Sequence, residues 1–98
     1  MLRSRLRVDG DRCGRIMVKE RATAGGGLAL YWITKASPVW GEDKAFHLPF
    51  TNRNSFCEYR FDVGHHPLWK GHKIVGLRLD PLEGGTGGDF EIESIRGD

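Results

Sequence analysis

Apolar and polar residues alternate with a period of two between glycine-rich breaks, and this pattern constrains the fold more than any other feature of the chain. It is clearest in segment 57–63, where every second residue is apolar: Cys57, Tyr59, Phe61 and Val63. Because consecutive strand side chains point to opposite faces, the segment is predicted to be a strand with one buried face. No 11-residue window shows the i, i+3, i+4 spacing of an amphipathic helix, so the chain is predicted to be all-β.

About seven strands are predicted, at residues 4–8, 15–21, 27–34, 44–50, 56–63, 73–79 and 89–96. The breaks between them suit antiparallel hairpins better than βαβ crossovers, which favours an antiparallel β-sandwich, with a barrel as the alternative. With 98 residues the chain has room for a single domain, 1–98. Segment 28–33 is apolar throughout and is expected to be a central strand covered on both faces. The residues predicted to be buried by period-two spacing are Tyr59, Phe61, Val75, Leu77, Leu79 and Ile92.

Charge is distributed unevenly along the chain, although its net value is only +2. Residues 1–23 carry seven Lys and Arg against three acidic residues, and residues 80–98 carry six acidic residues against Arg96. Strands from the two ends are therefore expected to lie side by side and attract each other. No aromatic residue interleaves the N-terminal arginines, so nucleic acid is not predicted as a partner. No stretch approaches the roughly 18 apolar residues of a membrane helix, so no membrane partner is predicted either.

Residue types that carry catalysis or bind metals occur without the required spacing. The four histidines lack the paired spacing of zinc sites, and Cys13 and Cys57 permit one disulfide or none. Cys57 lies on the apolar face of its strand, which favours a structural thiol over a nucleophile. The chain is therefore predicted to be neither an enzyme nor a cofactor protein. A Ca²⁺ ion among the acidic residues of segment 80–93 is an alternative to a simple solvated strand face.

Aromatic residues give the most useful functional signal. Trp40 follows Ser37-Pro38 and precedes Glu42 and Asp43, so its ring is predicted to lie on a loop beside carboxylates. A flat ring can stack on the apolar face of a sugar while polar groups bind the hydroxyls, and a ring folded over the end of the sandwich is the alternative. The predicted ligand-binding residues are Trp40, Glu42, Asp43, His47 and His66. Trp32 and Trp69 are predicted to belong to the core.

The second half of the chain contains in order the segments CEYRFD (57–62), PLWKG (67–71), IVGLRLDP (74–81) and FEIESIR (90–96). This order resembles galactose-binding-like β-sandwich modules of the carbohydrate-binding type, which accompany bacterial polysaccharide-degrading enzymes. With LYWIT (30–34), the resemblance covers about two thirds of the chain. One departure is that the spacing from Trp69 to Ile74 is one residue longer than the W-x-G-x-I pattern of these modules, which predicts a bulge or a shifted turn.

The resemblance implies a jelly-roll sandwich with a non-catalytic, accessory role. A polysaccharide or oligosaccharide is then the expected partner, and an extracellular or cell-surface location is implied if the parent protein is secreted. The alternative is a structural or protein-interaction domain that self-associates, as a homodimer, through an open strand edge. That edge is expected near the N-terminus, where the chain has little to supply the first strand of such modules and where Arg3, Arg5 and Arg7 lie.

Overall fold

The computed structural model describes residues 2–23, 25–51, 54–83 and 89–98, with the backbone alone for residues 2–7 and 82–83. Over these residues it forms seven strands: β1 (Leu2–Asp9), β2 (Ile16–Ala22), β3 (Gly27–Thr34), β4 (Ala45–Pro49), β5 (Cys57–Phe61), β6 (Lys73–Glu83) and β7 (Phe90–Gly97). Two single 3₁₀ turns, Glu42–Lys44 and Val63–His65, are the helical elements in the same ranges. The all-β prediction is confirmed. Within the described part of the chain, no helix is long and apolar enough to cross a membrane.

The strands form two antiparallel sheets. One has the order β1-β6-β3-β4 and the other has the order β5-β2-β7, so the predicted sandwich is confirmed. Strand β3 lies between β6 and β4, which explains its continuous apolar sequence, because a strand inside a covered sheet is buried on both faces. Ala29 and Tyr31 on one face of β3 are buried, as are Leu28, Leu30 and Trp32 on the other.

The expected attraction between the two ends of the chain is present, but through different strands. β1 pairs with β6 and β7 pairs with β2, so the first and last strands are not hydrogen-bonded neighbours. The cations of β2 instead meet the carboxylates of β7, in the ion pairs Lys19–Glu93 and Arg21–Glu91. The asymmetry of charge along the sequence therefore helps to align these two strands.

The core is organised around two tryptophans, both fully buried as predicted. The rings of Trp32 and Trp69 meet edge to face at 5.4 Å between centroids. Each indole N–H donates to a backbone carbonyl, Trp32 to Leu68 at 3.0 Å and Trp69 to Cys13 at 2.6 Å. These bonds satisfy the polar end of each ring, which allows the whole side chain to be buried.

The predicted core is confirmed at Tyr59, Phe61 and Leu79, which are buried. The prediction is too strong for three other residues, which are only partly buried: Val75, Leu77 and Ile92. Against β3, the pair Ile33–Gly76 is followed by the pair Thr34–Ile74, so Val75 is an extra residue of β6, and it lines a surface cleft. Against β1 the extra residue belongs to β1, between Arg5 and Val8. The bulge of β6 follows Ile74 and so lies just outside the Trp69–Ile74 interval, for which the sequence predicts a bulge or a shifted turn. Ile92 is half covered because β7 is an edge strand.

Neither of the two cysteines, Cys13 and Cys57, is in a disulfide. Cys13 precedes β2, where its sulfur lies 3.6 Å from the Arg15 carbonyl oxygen. Cys57 begins β5 and is paired across the sheet with Glu20, at the opposite end of β2. Of the two alternatives left open by the sequence, the structure therefore has no disulfide. Cys57 is only partly buried.

The core can be tested with two phenylalanines of contrasting burial. Phe61 is fully buried and packs edge-on against Phe46 at 6.0 Å, whereas Phe56 is 42% exposed. Phe61→Ala is expected to lower the free energy of unfolding by about 3 to 5 kcal/mol, because it empties a site that cannot collapse fully. Phe56→Ala should cost less than about 1 kcal/mol. Urea denaturation measures both, and equal losses would contradict this placement of the core.

Glu20 is a charged residue placed in the interior of the sandwich. Inward and outward residues alternate along β2, and Glu20 shares the inward face with Ile16, Val18 and Ala22. It is 1% exposed, and neither carboxylate oxygen has a hydrogen-bond partner in the described part of the chain. Burial disfavours the charged form and raises the pKa of Glu20 from 4.5 to about 7.

The raised pKa makes the free energy of unfolding depend on pH. The unfolded carboxyl ionises above about pH 4.5 while the folded one keeps its proton, so stability falls as pH rises from about 4.5 to about 7. Over this pH range the free energy of unfolding falls by about 3 kcal/mol at most. Glu20→Met keeps the length of the side chain and should remove this loss, whereas Glu91→Gln, on the outer face, should keep it. Urea midpoints at pH 5 and pH 8 compare the three proteins, and an unchanged pH dependence in Glu20→Met would contradict the assignment.

Candidate functional site

The outer face of the four-stranded sheet brings together aromatic, acidic and cationic side chains from five parts of the chain. Tyr31 on β3 lies opposite Arg78 on β6, on the face away from Trp32 and the core. A loop, a 3₁₀ turn and β4 add the other members. We call this group the outer-face cluster: Tyr31, Trp40, Glu42, His47 and Arg78.

Glu42 is the central hydrogen-bond acceptor of the outer-face cluster. Its Oε1 accepts from the Tyr31 hydroxyl at 2.7 Å, and its Oε2 lies 2.8 Å from Nε2 of His47. The bond from Tyr31 and then the bond from His47 lower the pKa of Glu42 below its usual value, so the group is a carboxylate at neutral pH. The side chain is 71% exposed, which leaves its remaining lone pairs available to a ligand.

Arg78 is held mainly by aromatic rings. Its guanidinium carbon lies 4.2 Å from the ring centroid of Tyr31 and 5.8 Å from that of Trp40, distances at which cation–π attraction acts. Nη2 lies 3.7 Å from a carboxylate oxygen of Asp80. The buried Nε has no hydrogen-bond partner in the described ranges. Arg78 therefore joins the two rings into one packed unit on the sheet.

Trp40 lies on a loop and is partly exposed, as predicted. Its Cη2 is 3.5 Å from the position that a Cβ atom would have on Gly76. This is an ordinary contact distance, so the ring packs on β6 at Gly76, and the atom that a Cβ there would crowd is Cγ1 of Ile33, at 2.9 Å. An indole held in this way has little freedom to lose when a ligand stacks on it.

The loop that carries Trp40 is anchored by a buried lysine. Lys44 is 1% exposed, and its Nζ donates to Ser37 Oγ at 3.1 Å and to Asp43 Oδ2 at 3.3 Å. The backbone N–H of Ser37 donates to Thr34 Oγ1 at 2.9 Å, which ties the loop to the end of β3. Asp43 is thereby used as the ionic partner of Lys44 at the base of the loop.

The structure brings together three of the five residues predicted to bind ligand: Trp40, Glu42 and His47. Asp43 is next to them but is engaged with Lys44. His66 lies apart, since its ring packs edge-on against Trp32 at 4.8 Å, on the core side of the sheet. Its Nδ1 accepts the backbone N–H of Leu68 at 3.0 Å, so it stabilises a turn instead of joining the outer-face cluster.

Two members of the outer-face cluster were not predicted from the sequence. Tyr31 lies in the continuous apolar segment of β3, where it looks like a core residue. Arg78 was visible only as one of the polar residues that alternate with Leu77 and Leu79. The outward position of Tyr31 follows from the inward position of Trp32, and its pairing with Arg78 requires the register of two strands distant in sequence.

Metal binding has no support among the described residues, where no three His, Cys, Asp or Glu side chains are grouped to hold an ion. The Ca²⁺ alternative concerned segment 80–93, of which residues 84–88 lie outside the described residues. Asp80 is in an ion pair with Arg78. The outer-face cluster offers a ring face, a carboxylate and an imidazole, groups suited to stacking and hydroxyl recognition.

Comparison of the chain with protein-family models, with curated proteins and with solved structures gave no match.

Proposed function

We propose that this chain is a non-catalytic carbohydrate-binding module and that the outer-face cluster binds a polysaccharide or oligosaccharide. The observation that carries the proposal is that the partly exposed Trp40 ring and the ionised, exposed carboxylate of Glu42 belong to one cluster, joined through Arg78 and Tyr31. The ring supplies an apolar surface for one face of a sugar. Glu42 and His47 supply acceptors and donors for its hydroxyl groups.

The position of the outer-face cluster supports a binding role. Trp40 is partly exposed and Glu42 and His47 are exposed, so a ligand can reach all three from solvent. Tyr31 and Glu42 hold each other by the 2.7 Å hydrogen bond, so the acceptor is oriented before any ligand arrives. Preorganisation of this kind lowers the entropy cost of binding.

Replacement of Trp40 tests the proposal. Trp40→Ala is expected to weaken binding of a glycan about tenfold or more, because a central aromatic anchor carries much of the affinity of such a site. The free energy of unfolding should change by no more than about 1 kcal/mol, since a partly exposed loop ring contributes little to the core. Val39→Ala, at a neighbouring residue that is 66% exposed, is the matched control and should bind like the original protein.

A glycan array first shows whether the unchanged protein binds any glycan. Titration calorimetry with cellohexaose, xylohexaose and oligogalacturonate then measures the affinities of the unchanged protein and of both variants. Full affinity in a folded Trp40→Ala protein would place the site elsewhere. If the unchanged protein bound no glycan on the array, the proposed function would be rejected.

A second candidate function is a protein-interaction module that self-associates through an open strand edge. β7 is an edge strand paired only with β2, and it leaves two large apolar side chains exposed, Phe90 at 39% and Ile95 at 48%. Their strand partners, Ala22 and Val18, face the core, so Phe90 and Ile95 are directed toward an interior that is not closed over them. A second copy of the chain is the occupant that we propose for this edge.

The charges on the two edges favour β7 over β1 for this contact. The carboxylates of Glu91 and Glu93 are neutralised by Arg21 and Lys19 of the same sheet. β1 contains Arg3, Arg5 and Arg7 in its sequence, and like charges on a strand edge oppose self-pairing. The edge proposed for a homodimer is therefore at the C-terminal strand and not, as expected from the sequence, at the N-terminal one.

Sedimentation tests this second candidate. If it holds, the unchanged protein should self-associate with increasing concentration, and Ile95→Lys should remain monomeric because the charge disfavours burial in an interface. Val39→Lys, at an exposed loop position, should associate like the original. A single monomeric species of the unchanged protein at high concentration, in both low and high salt, would exclude the dimer.

A further inference from the structure

A surface cleft of about 350 Å³ lies beside the bulge of β6. Its lining residues come from the ends of β1 and β6 and from the segment after β3: Val8, Asp9, Lys35, Lys73 and Val75. The two valines give it apolar walls, and the ionic groups stand around them. A cleft of this size is within the range of small-ligand sites.

The cleft is a consequence of the irregular register of β6. Val75 is an extra residue of β6 against β3, and β1 has an extra residue against β6 at the same place, between Arg5 and Val8. The cleft lies where these two irregularities meet. The rim is held by the main chain, because the N–H of Lys35 donates to the carbonyl of Lys73 at 2.9 Å. Bulges are frequent beside functional sites because they re-aim side chains.

The charge of the cleft is positive. Among the described residues, neither Lys35 nor Lys73 makes an ion pair, so both ammonium groups are available to a ligand. The carboxylate of Asp9 accepts the backbone N–H of Asp11 at 3.0 Å and is directed into the turn after β1. The cleft therefore offers two ammonium groups, one carboxylate that is already hydrogen-bonded, and apolar walls. This arrangement suits a ligand that has both an anionic group and an apolar face.

The cleft and the outer-face cluster lie along the same strand. Val75 lines the cleft, Gly76 lies under the Trp40 ring, and Arg78 contacts that ring from two residues further on. At about 3.3 Å per residue, the segment from Val75 to Arg78 spans roughly 10 Å. A short oligosaccharide can therefore reach from the ring to the two lysines.

We propose that this cleft is an anion-binding subsite and that the ligand is a polysaccharide with anionic substituents, either uronate carboxylates or sulfate esters. The inference rests on the proposed carbohydrate-binding function and specifies its ligand class. A sugar stacks on Trp40 with its hydroxyl groups toward Glu42. A neighbouring acidic sugar places its anionic group between Lys35 and Lys73, with its apolar face on Val75.

The test compares Lys35→Gln/Lys73→Gln with the control Lys70→Gln, an exposed lysine in the turn before β6. The probes in calorimetry are oligogalacturonate for the carboxylate, carrageenan oligosaccharides for the sulfate ester, and neutral cellohexaose. The double variant is expected to lose about tenfold in affinity for an anionic probe, the effect of two exposed ion pairs. The control should lose nothing. Added salt should remove the advantage of the anionic probe, because screening weakens exposed charges.

The outcomes separate the two proposals. If the unchanged protein binds a neutral glycan through Trp40 as tightly as the anionic probes, or if the double variant binds them normally, the subsite is overturned while the carbohydrate-binding function stands. If the unchanged protein binds none of the three probes and no glycan on the array, both proposals fail. Loss of affinity for oligogalacturonate alone assigns the carboxylate, and loss for the sulfated probe alone assigns the sulfate ester.

Discussion

The structure depends on strand β3 being covered on both of its faces. Trp32 and Tyr31 are consecutive, so one points into the sandwich and the other points out. Trp32 meets Trp69 in the core, where both indole N–H groups are satisfied. Tyr31 is buried on the opposite face, under Arg78 and beside Glu42. The core and the outer-face cluster are therefore positioned by the same strand, and the position of one side chain fixes that of the next.

The strands were predictable from the sequence because their signal is local. Alternation along Cys57–Phe61 is visible in the chain itself, and so is the continuous apolar character of β3. The site was only partly predictable, since Trp40, Glu42 and His47 lie close in sequence while Arg78 joins them through the register of β3 and β6. The sequence grouped His66 with these residues by residue type alone. In the structure the sheet separates His66 from them, because its ring packs against Trp32 on the core side.

Lys44 and Glu20 are both ionisable side chains that are buried away from water, where the charged form is unfavourable, and they differ in whether they have hydrogen-bond partners. Lys44 is bonded to Ser37 and Asp43, so its burial helps to fix the loop that carries Trp40. Glu20 has no such partner in the described part of the chain, and burial raises its pKa because the charged form is the costly one. Of these two residues, Lys44 is the one that is tied to other side chains, and its contacts hold the loop that carries Trp40.

The bulge in β6 connects the irregularity of the fold with the proposed ligand surface. The alternation along the sequence predicts Val75 on the inward face, whereas it is only partly buried. As the extra residue of β6 against β3, Val75 lines the surface cleft, and the Trp40 ring contacts β6 at the next residue, Gly76. At this point β6 has an extra residue against β3, and β1 has an extra residue against β6, so a regular pairing would require β1 or β3 to re-pair, which would turn inward-facing residues outward. The packing of the core therefore preserves the irregular pairing at which the cleft lies.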